Sequence, residues 1–168
     1  MNKREFLGMA SVGALVAAFA ASRMMNRGAA EEATAGTTFS VQMTDAQWRA
    51  KLNPESYEVL RKGATERPGT SPLLKEHRKG IFACAGCDTP LFDSSTKYDS
   101  KTGWPSFWQP LPNTTIRRPD FTIARPRTEI LCSTCGGHLG HVFDDGPKPT
   151  GLRYCMNGDA LTFKPAAA

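Results

Sequence analysis

The apolar and polar positions change rhythm twice along the chain. From 6 to 21 the residues form an apolar run unbroken by charge and rich in Ala and Gly, preceded by the basic Met-Asn-Lys-Arg-Glu. Between 44 and 63 the spacing becomes helical. Thr44, with Gln47 three residues on, has the form of a capping box, and Trp48 and Leu52, four apart, share a helix face. Pro54 opens a second short helix whose Tyr57 and Leu60 line one face and which Gly63 closes. Beyond Gly63 come short apolar or alternating runs broken by Gly, Pro, Asn and Asp. Those at 81–83, 114–117, 121–125, 129–131, 139–143, 152–156 and 161–163 read as strands. Twelve prolines discourage long helices. The expected architecture is two short N-terminal helices followed by a mainly β, mostly antiparallel domain, a sandwich or open barrel.

The first run is an export leader by its layout. A basic start, an apolar stretch of 16 residues and the small-x-small strings Ala18-Phe19-Ala20 and Gly28-Ala29-Ala30 are the three regions of a signal over 1–30. The stretch is short for a membrane-spanning helix, which needs roughly 20 residues. Asn2-Lys3-Arg4-Glu5-Phe6-Leu7 is twin-arginine-like, with Lys in place of the first Arg. That route carries folded proteins, so a metal would be loaded before export while thiols are still reduced. Residues 31–40 read as an Ala/Thr/Gly-rich linker and 41–164 as a single domain. The expected location is exported, in the periplasm. An uncleaved N-terminal membrane anchor is the alternative, and it too places the domain outside the cytoplasm.

Charge narrows the partners. The chain carries a net +5 over 168 residues, but 1–30 account for +3 of it, leaving +2 for the remainder with no run of five like charges. No nucleic-acid partner is implied.

Five cysteines carry the chemistry. Cys84-Ala85-Gly86-Cys87 and Cys132-Ser133-Thr134-Cys135 are paired CxxC knuckles separated by 44 residues. Four thiolates close a tetrahedral Zn²⁺ site with no open position, hence a structural one. Two disulfides are the alternative in an oxidising compartment, and a CxxC redox pair is a third reading. Cys155 is left over, either a small buried hydrophobe or a reactive thiol. Arg153, two residues before it, shares its face on a strand and favours a thiolate. His138 and His141 form a polar knot with the neighbouring glycines and suit a thiol's partners; zinc ligands or loop residues are the bland alternatives. His77 sits in a charged stretch and reads as solvated.

At this point the sequence resembles a known family. Thr102-Gly103-Trp104-Pro105-Ser106-Phe107, His138-Leu139-Gly140-His141-Val142-Phe143, Asp145-Gly146-Pro147-Lys148-Pro149-Thr150-Gly151 and Arg153-Tyr154-Cys155 look like type-B peptide methionine sulfoxide reductases, with both CxxC units where zinc-binding members carry theirs. The resemblance spans 41–163. It implies two antiparallel sheets in a tent-like sandwich with a structural four-cysteine zinc site and no organic cofactor. It implies thiol-dependent reduction of methionine-R-sulfoxide, free or in oxidised proteins and peptides. A monomer is expected. Carried over by motif, Cys155 is the nucleophile, forming a sulfenic acid; His141, helped by His138, protonates the sulfoxide oxygen. Trp104 holds the S-methyl group, and Asn157 and Arg153 orient the nucleophile.

The chain departs from the family in one chemical respect. Thr102 stands where many members carry a resolving cysteine, and Lys101 replaces a common glycine. With the other cysteines assigned to zinc, a thioredoxin-like protein or a small thiol is expected to reduce Cys155. Gly158-Asp159 also differs from the small, hydroxyl-rich residues usual there. Two rival classes remain open from the residues alone: a zinc-ribbon binding module, and a cysteine hydrolase pairing Cys155 with His141.

Overall fold

A computed structural model describes residues 38–167. The leader and most of the 31–40 linker lie outside the described residues. Two short helices come first, α1 (Asp45–Lys51) and α2 (Pro54–Lys62). Thr44 and Gln47 form the reciprocal capping box on α1. Asn53 Oδ1 accepts the Ser56 amide at 2.7 Å to cap α2, and Gly63 ends it in the left-handed conformation at φ 70°. Trp48, Tyr57 and Leu60, from the predicted apolar stripes, are buried.

Nine strands follow among the described residues: β1 (Gly80–Cys84), β2 (Pro90–Asp93), β3 (Lys97–Tyr98), β4 (Ser106–Phe107), β5 (Thr115–Asp120), β6 (Arg127–Cys132), β7 (His138–Phe143), β8 (Arg153–Met156) and β9 (Leu161–Pro165). They form two antiparallel sheets, β2-β1-β9 and β3-β4-β8-β7-β6-β5. Aromatic side chains join the sheets. Phe82 of β1 and Phe92 of β2 meet Phe107 of β4 with ring centroids 4.9 and 4.3 Å apart, and Phe92 reaches Tyr154 of β8 at 5.9 Å. All four are buried, and such pairs add about 0.5–1.5 kcal/mol each beyond area burial. The expected mainly β fold of two antiparallel sheets with two N-terminal helices is what forms.

The strand expected over 121–125 is absent. β5 ends at Asp120, whose Oδ1 accepts both the backbone amide and the hydroxyl of Thr122, turning the chain into the β5–β6 loop. Phe121 and Ile123 are left 47% and 49% exposed, so their alternation has no core to bury into. The structure also contains β2, β3 and β4, which the sequence pattern did not mark. β3 and β4 span two residues each, too short for periodicity to register.

Candidate active site

The six-stranded sheet sets the site through register alone. Cys155 of β8 lies opposite Ser106 of β4 on one side and His141 of β7 on the other. Cross-strand partners share a face with Cβ atoms about 4.5–5.5 Å apart, so His141 and Cys155 point into the same space. There they line a pocket of about 110 Å³ with Trp104, Asn157, Thr65, Arg127, Gly140 and Phe143. That is on the order of four water volumes at roughly 30 Å³ each, room for the tip of a side chain.

His138 and His141 are three apart, which on a regular strand puts them on opposite faces. A bulge resolves this: Ile130 pairs with Gly140 but Leu131 with His138, so Leu139 is an extra residue on β7. The two imidazoles consequently stand 5.4 Å apart, edge to face. Each is held by a buried carboxylate. His141 Nε2 lies 2.7 Å from Asp120 Oδ2, and His138 Nδ1 lies 2.6 Å from Glu129 Oε1. Burial would push both acids up. Hydrogen bonds from Thr122, His141 and Arg127 hold Asp120 well below the usual carboxylate range, and those from His138 and Arg118 hold Glu129 below it. An ionised carboxylate only accepts, so Nε2 of His141 and Nδ1 of His138 carry the protons. Burial pushes the His141 imidazole below its ordinary value, more than Asp120 pulls it back. His138 Nε2 is buried with no partner among the described residues. His138 does not line the Cys155 pocket; it lines a neighbouring cavity with Glu129, Arg118 and Arg61.

Burial also pushes the Cys155 thiol up, while the Thr102 hydroxyl and the Arg153 guanidinium pull it down. The expected lowering by a neighbouring cation is therefore present but outweighed. Thr102 Oγ1 stands 3.9 Å from Cys155 Sγ, at the end of a hydroxyl chain through Ser100 at 2.8 Å to Ser106 at 2.7 Å. Arg153 is clamped by both oxygens of Asp145 at 2.8 Å and lies over the Phe143 ring at 4.3 Å. It stands outside the pocket lining and reaches the thiol through its charge.

Glu66 ties the remaining residues together, and sequence reasoning missed it. Its carboxylate accepts the Gly158 and Asp159 amides at 2.7 and 2.9 Å. Its amide donates to Asn157 Oδ1 at 3.1 Å, and its carbonyl accepts Trp104 Nε1 at 3.2 Å. Asn157 Nδ2 in turn donates to the Leu139 carbonyl at 3.2 Å. Asn157 thus positions the loop behind the thiol, and Trp104 is oriented by the same loop. Asp120, Glu129 and Arg127 were missed as well. No local motif marks them, because strand pairing brings them in from β5 and β6.

The other four cysteines converge elsewhere. Their sulfurs all lie within 4.8 Å of one another, with Cys84–Cys135 at 3.7 Å and Cys87–Cys132 at 3.5 Å. Four thiolates at about 2.3 Å from a tetrahedral ion lie about 3.8 Å apart, whereas a disulfide needs about 2.05 Å. The donor set fits a metal. The knuckles are built alike: the carbonyl of each first cysteine accepts an amide four residues on, Asp88 or Gly136, and both of those residues are left-handed, at φ 66° and 69°. Hydrogen bonding within the crowd splits the four acidities, drawing Cys87 and Cys132 down and driving Cys84 and Cys135 up.

Comparison with known proteins gives the family. Residues 52–165 match the family model described as the SelR domain. The chain is 52% identical over 130 residues to the peptide methionine sulfoxide reductase MsrB of Agrobacterium fabrum, covering 77% of this chain and 96% of that protein. It is 55% identical over 123 residues to the MsrB of Thiobacillus denitrificans, covering 73% and 93%. It is 49% identical over 120 residues to the chloroplastic peptide methionine sulfoxide reductase B1 of Arabidopsis thaliana, covering 71% and 59%. The chain belongs to the SelR-domain family, the type-B peptide methionine sulfoxide reductases, and is an oxidoreductase of that family.

Proposed function

We propose that this protein reduces the R epimer of methionine sulfoxide to methionine in oxidised proteins and peptides, repairing them, with Cys155 as the nucleophile. The observation that supports this most is the register that sets Cys155 beside His141 in a small pocket walled by Trp104. The Cys155 thiolate sulfur bonds to the sulfoxide sulfur. His141 as imidazolium, stabilised by ionised Asp120, gives its proton to the sulfoxide oxygen, which leaves as hydroxide. Hydroxide then displaces methionine at the Cys155 sulfur. The net change is sulfoxide plus thiol giving thioether plus sulfenic acid: the substrate sulfur gains two electrons and Cys155 loses two. Trp104 receives the S-methyl group on its apolar face. Asn157 and Arg153 orient and polarise the nucleophile, and His138 supports His141 through their edge contact.

With Thr102 beside the thiol, the sulfenic acid meets a hydroxyl where a resolving cysteine would stand. An external thiol, from a thioredoxin-like protein or a small molecule, condenses with it to a mixed disulfide and water, and a second thiol releases Cys155. Cys84, Cys87, Cys132 and Cys135 hold a structural Zn²⁺, and the protein acts as an exported monomer, carried out by its leader.

The test is chromatographic turnover of N-acetyl-methionine-R-sulfoxide amide with dithiothreitol, against the S epimer and a Cys155→Ser control. R-specific turnover lost in the variant is the expected outcome. Equal turnover of both epimers, or activity surviving in Cys155→Ser, would overturn the reading.

A further inference from the structure

The Cys155 pocket is flanked by two larger hollows of opposite charge, and it shares one lining residue with each. Thr65 lines both the Cys155 pocket and a groove of about 410 Å³ whose apolar floor includes Val59 and Pro54. That groove carries Glu55, Glu58, Glu66 and Asp159 against a single cation, Arg67, the Glu66 carboxylate being held by the Gly158 and Asp159 amides. Trp104 lines both the Cys155 pocket and a second hollow of about 400 Å³. This second hollow presents Lys75, Lys97 and Lys101 against Asp99; Lys97 Nζ donates to the Leu74 carbonyl at 3.0 Å, and Asp99 is already paired with Lys101 at 2.7 Å. Among the described residues, none of Glu55, Glu58, Asp159, Lys75 and Lys97 belongs to an ion pair. Glu55 and Glu58 are three apart on α2 and share a face.

We propose that these flanks form one substrate channel that reads the charges on either side of the oxidised methionine. It takes an extended peptide whose methionine sulfoxide sits in the Cys155 pocket, with Lys or Arg on the Thr65 side and Asp or Glu on the Trp104 side. Charge complementarity selects this occupant over a uniformly acidic or basic segment, which one flank would repel. An extended chain advances about 3.3 Å per residue, so the second and third neighbours on each side reach beyond the central pocket into the hollows. The inference rests on the reductase reading above and adds a sequence preference to it.

The experiment compares kcat/KM of the metal-loaded full-length protein for peptides bearing one methionine-R-sulfoxide. One carries lysines at the second and third positions before it and glutamates at the second and third after, one has the reverse order, one has lysine at all four positions and one glutamate at all four. One of the two mixed-charge orders is expected to exceed its reverse and both uniform peptides by about five-fold, the scale of a few exposed charge contacts. The advantage should fall away in high salt. It should also be lost in E55K/E58K, while uncharged N-acetyl-methionine-R-sulfoxide amide is turned over at the unvaried rate. Equal rates for all four peptides, or an advantage that survives E55K/E58K, would overturn the channel. Failure of the uncharged substrate with the unvaried protein would instead sink the reductase reading.

Discussion

Thr102 shows how much a single residue decides. Its Oγ1 lies 3.9 Å from Cys155 Sγ, so a thiol at this position would stand beside the sulfenic acid proposed for Cys155. T102C is expected to form a disulfide between the introduced thiol and Cys155 after one turnover without reductant, seen as loss of both free thiols. The unvaried protein is expected to keep a sulfenic acid that a dimedone probe traps. Trapping of the variant at the unvaried level would show that position 102 is not within resolving reach. Asp120 acts through His141. Its ionised carboxylate favours the imidazolium against burial, so D120N removes a pull upward and the His141 pKa falls further. The protonated fraction is then lost at lower pH, and the descending limb of the kcat/KM profile is expected to move acidward. Turnover near neutrality should drop about tenfold, part of the roughly 10²–10⁴ a general acid contributes. A profile that does not move would remove Asp120 from the mechanism. Cys155 titrates in the other sense. Burial holds its thiol above the ordinary range, so alkylation by iodoacetamide should keep rising as pH passes the usual thiol value.

At the scale of the element, the site depends on how closely β7 and β8 approach. A Cβ on Gly140 would stand 2.1 Å from the Cys155 carbonyl oxygen, a backbone atom with no rotamer to yield. G140A is expected to cost about 3 kcal/mol, the upper end of ordinary overpacking, read as a lowered denaturant midpoint. Activity should fall further than stability, since the same strand contact sets His141 opposite Cys155. The two helices, their caps and most strands were legible because each carries its own periodic stripe or capping pair. The cysteine knuckles and the Cys155 motif were legible because their chemistry is written in contiguous residues. What joins them was not. The Leu139 bulge that puts both histidines on one side has no sequence mark beyond a glycine. The 121–125 alternation mimics a strand but has no partner sheet to cover it. Glu66, Asp120 and Glu129 enter the site from 91, 21 and 9 residues away along the chain, separations at which spacing says nothing about contact.

For the whole molecule, the cysteine cluster decides whether these elements stay assembled. Cys84 and Cys87 flank the β1–β2 corner of the smaller sheet, and Cys132 and Cys135 the β6–β7 corner of the larger, so a metal there clamps one sheet to the other. Leu60 of α2 rests on both knuckles, with carbons close to Gly86 and Gly137, and Arg61 donates to the Cys135 carbonyl at 3.1 Å. Removing the ion would leave four thiols crowded at distances suited to a metal and would loosen the start of β7, which carries His138 and His141. Structural zinc sites contribute on the order of 10 kcal/mol in small domains. At roughly 2–4 °C per kcal/mol for a chain of this size, chelation is expected to lower the melting temperature by about 20 °C or more, with one metal ion per chain released. C132S should reproduce the loss of metal, stability and turnover together. C155S should keep the metal and the melting temperature while losing turnover, which separates the clamp from the nucleophile. A melting temperature unmoved by complete metal removal would mean that the aromatic core between the sheets holds the fold unaided, and that the knuckles serve some purpose other than stability.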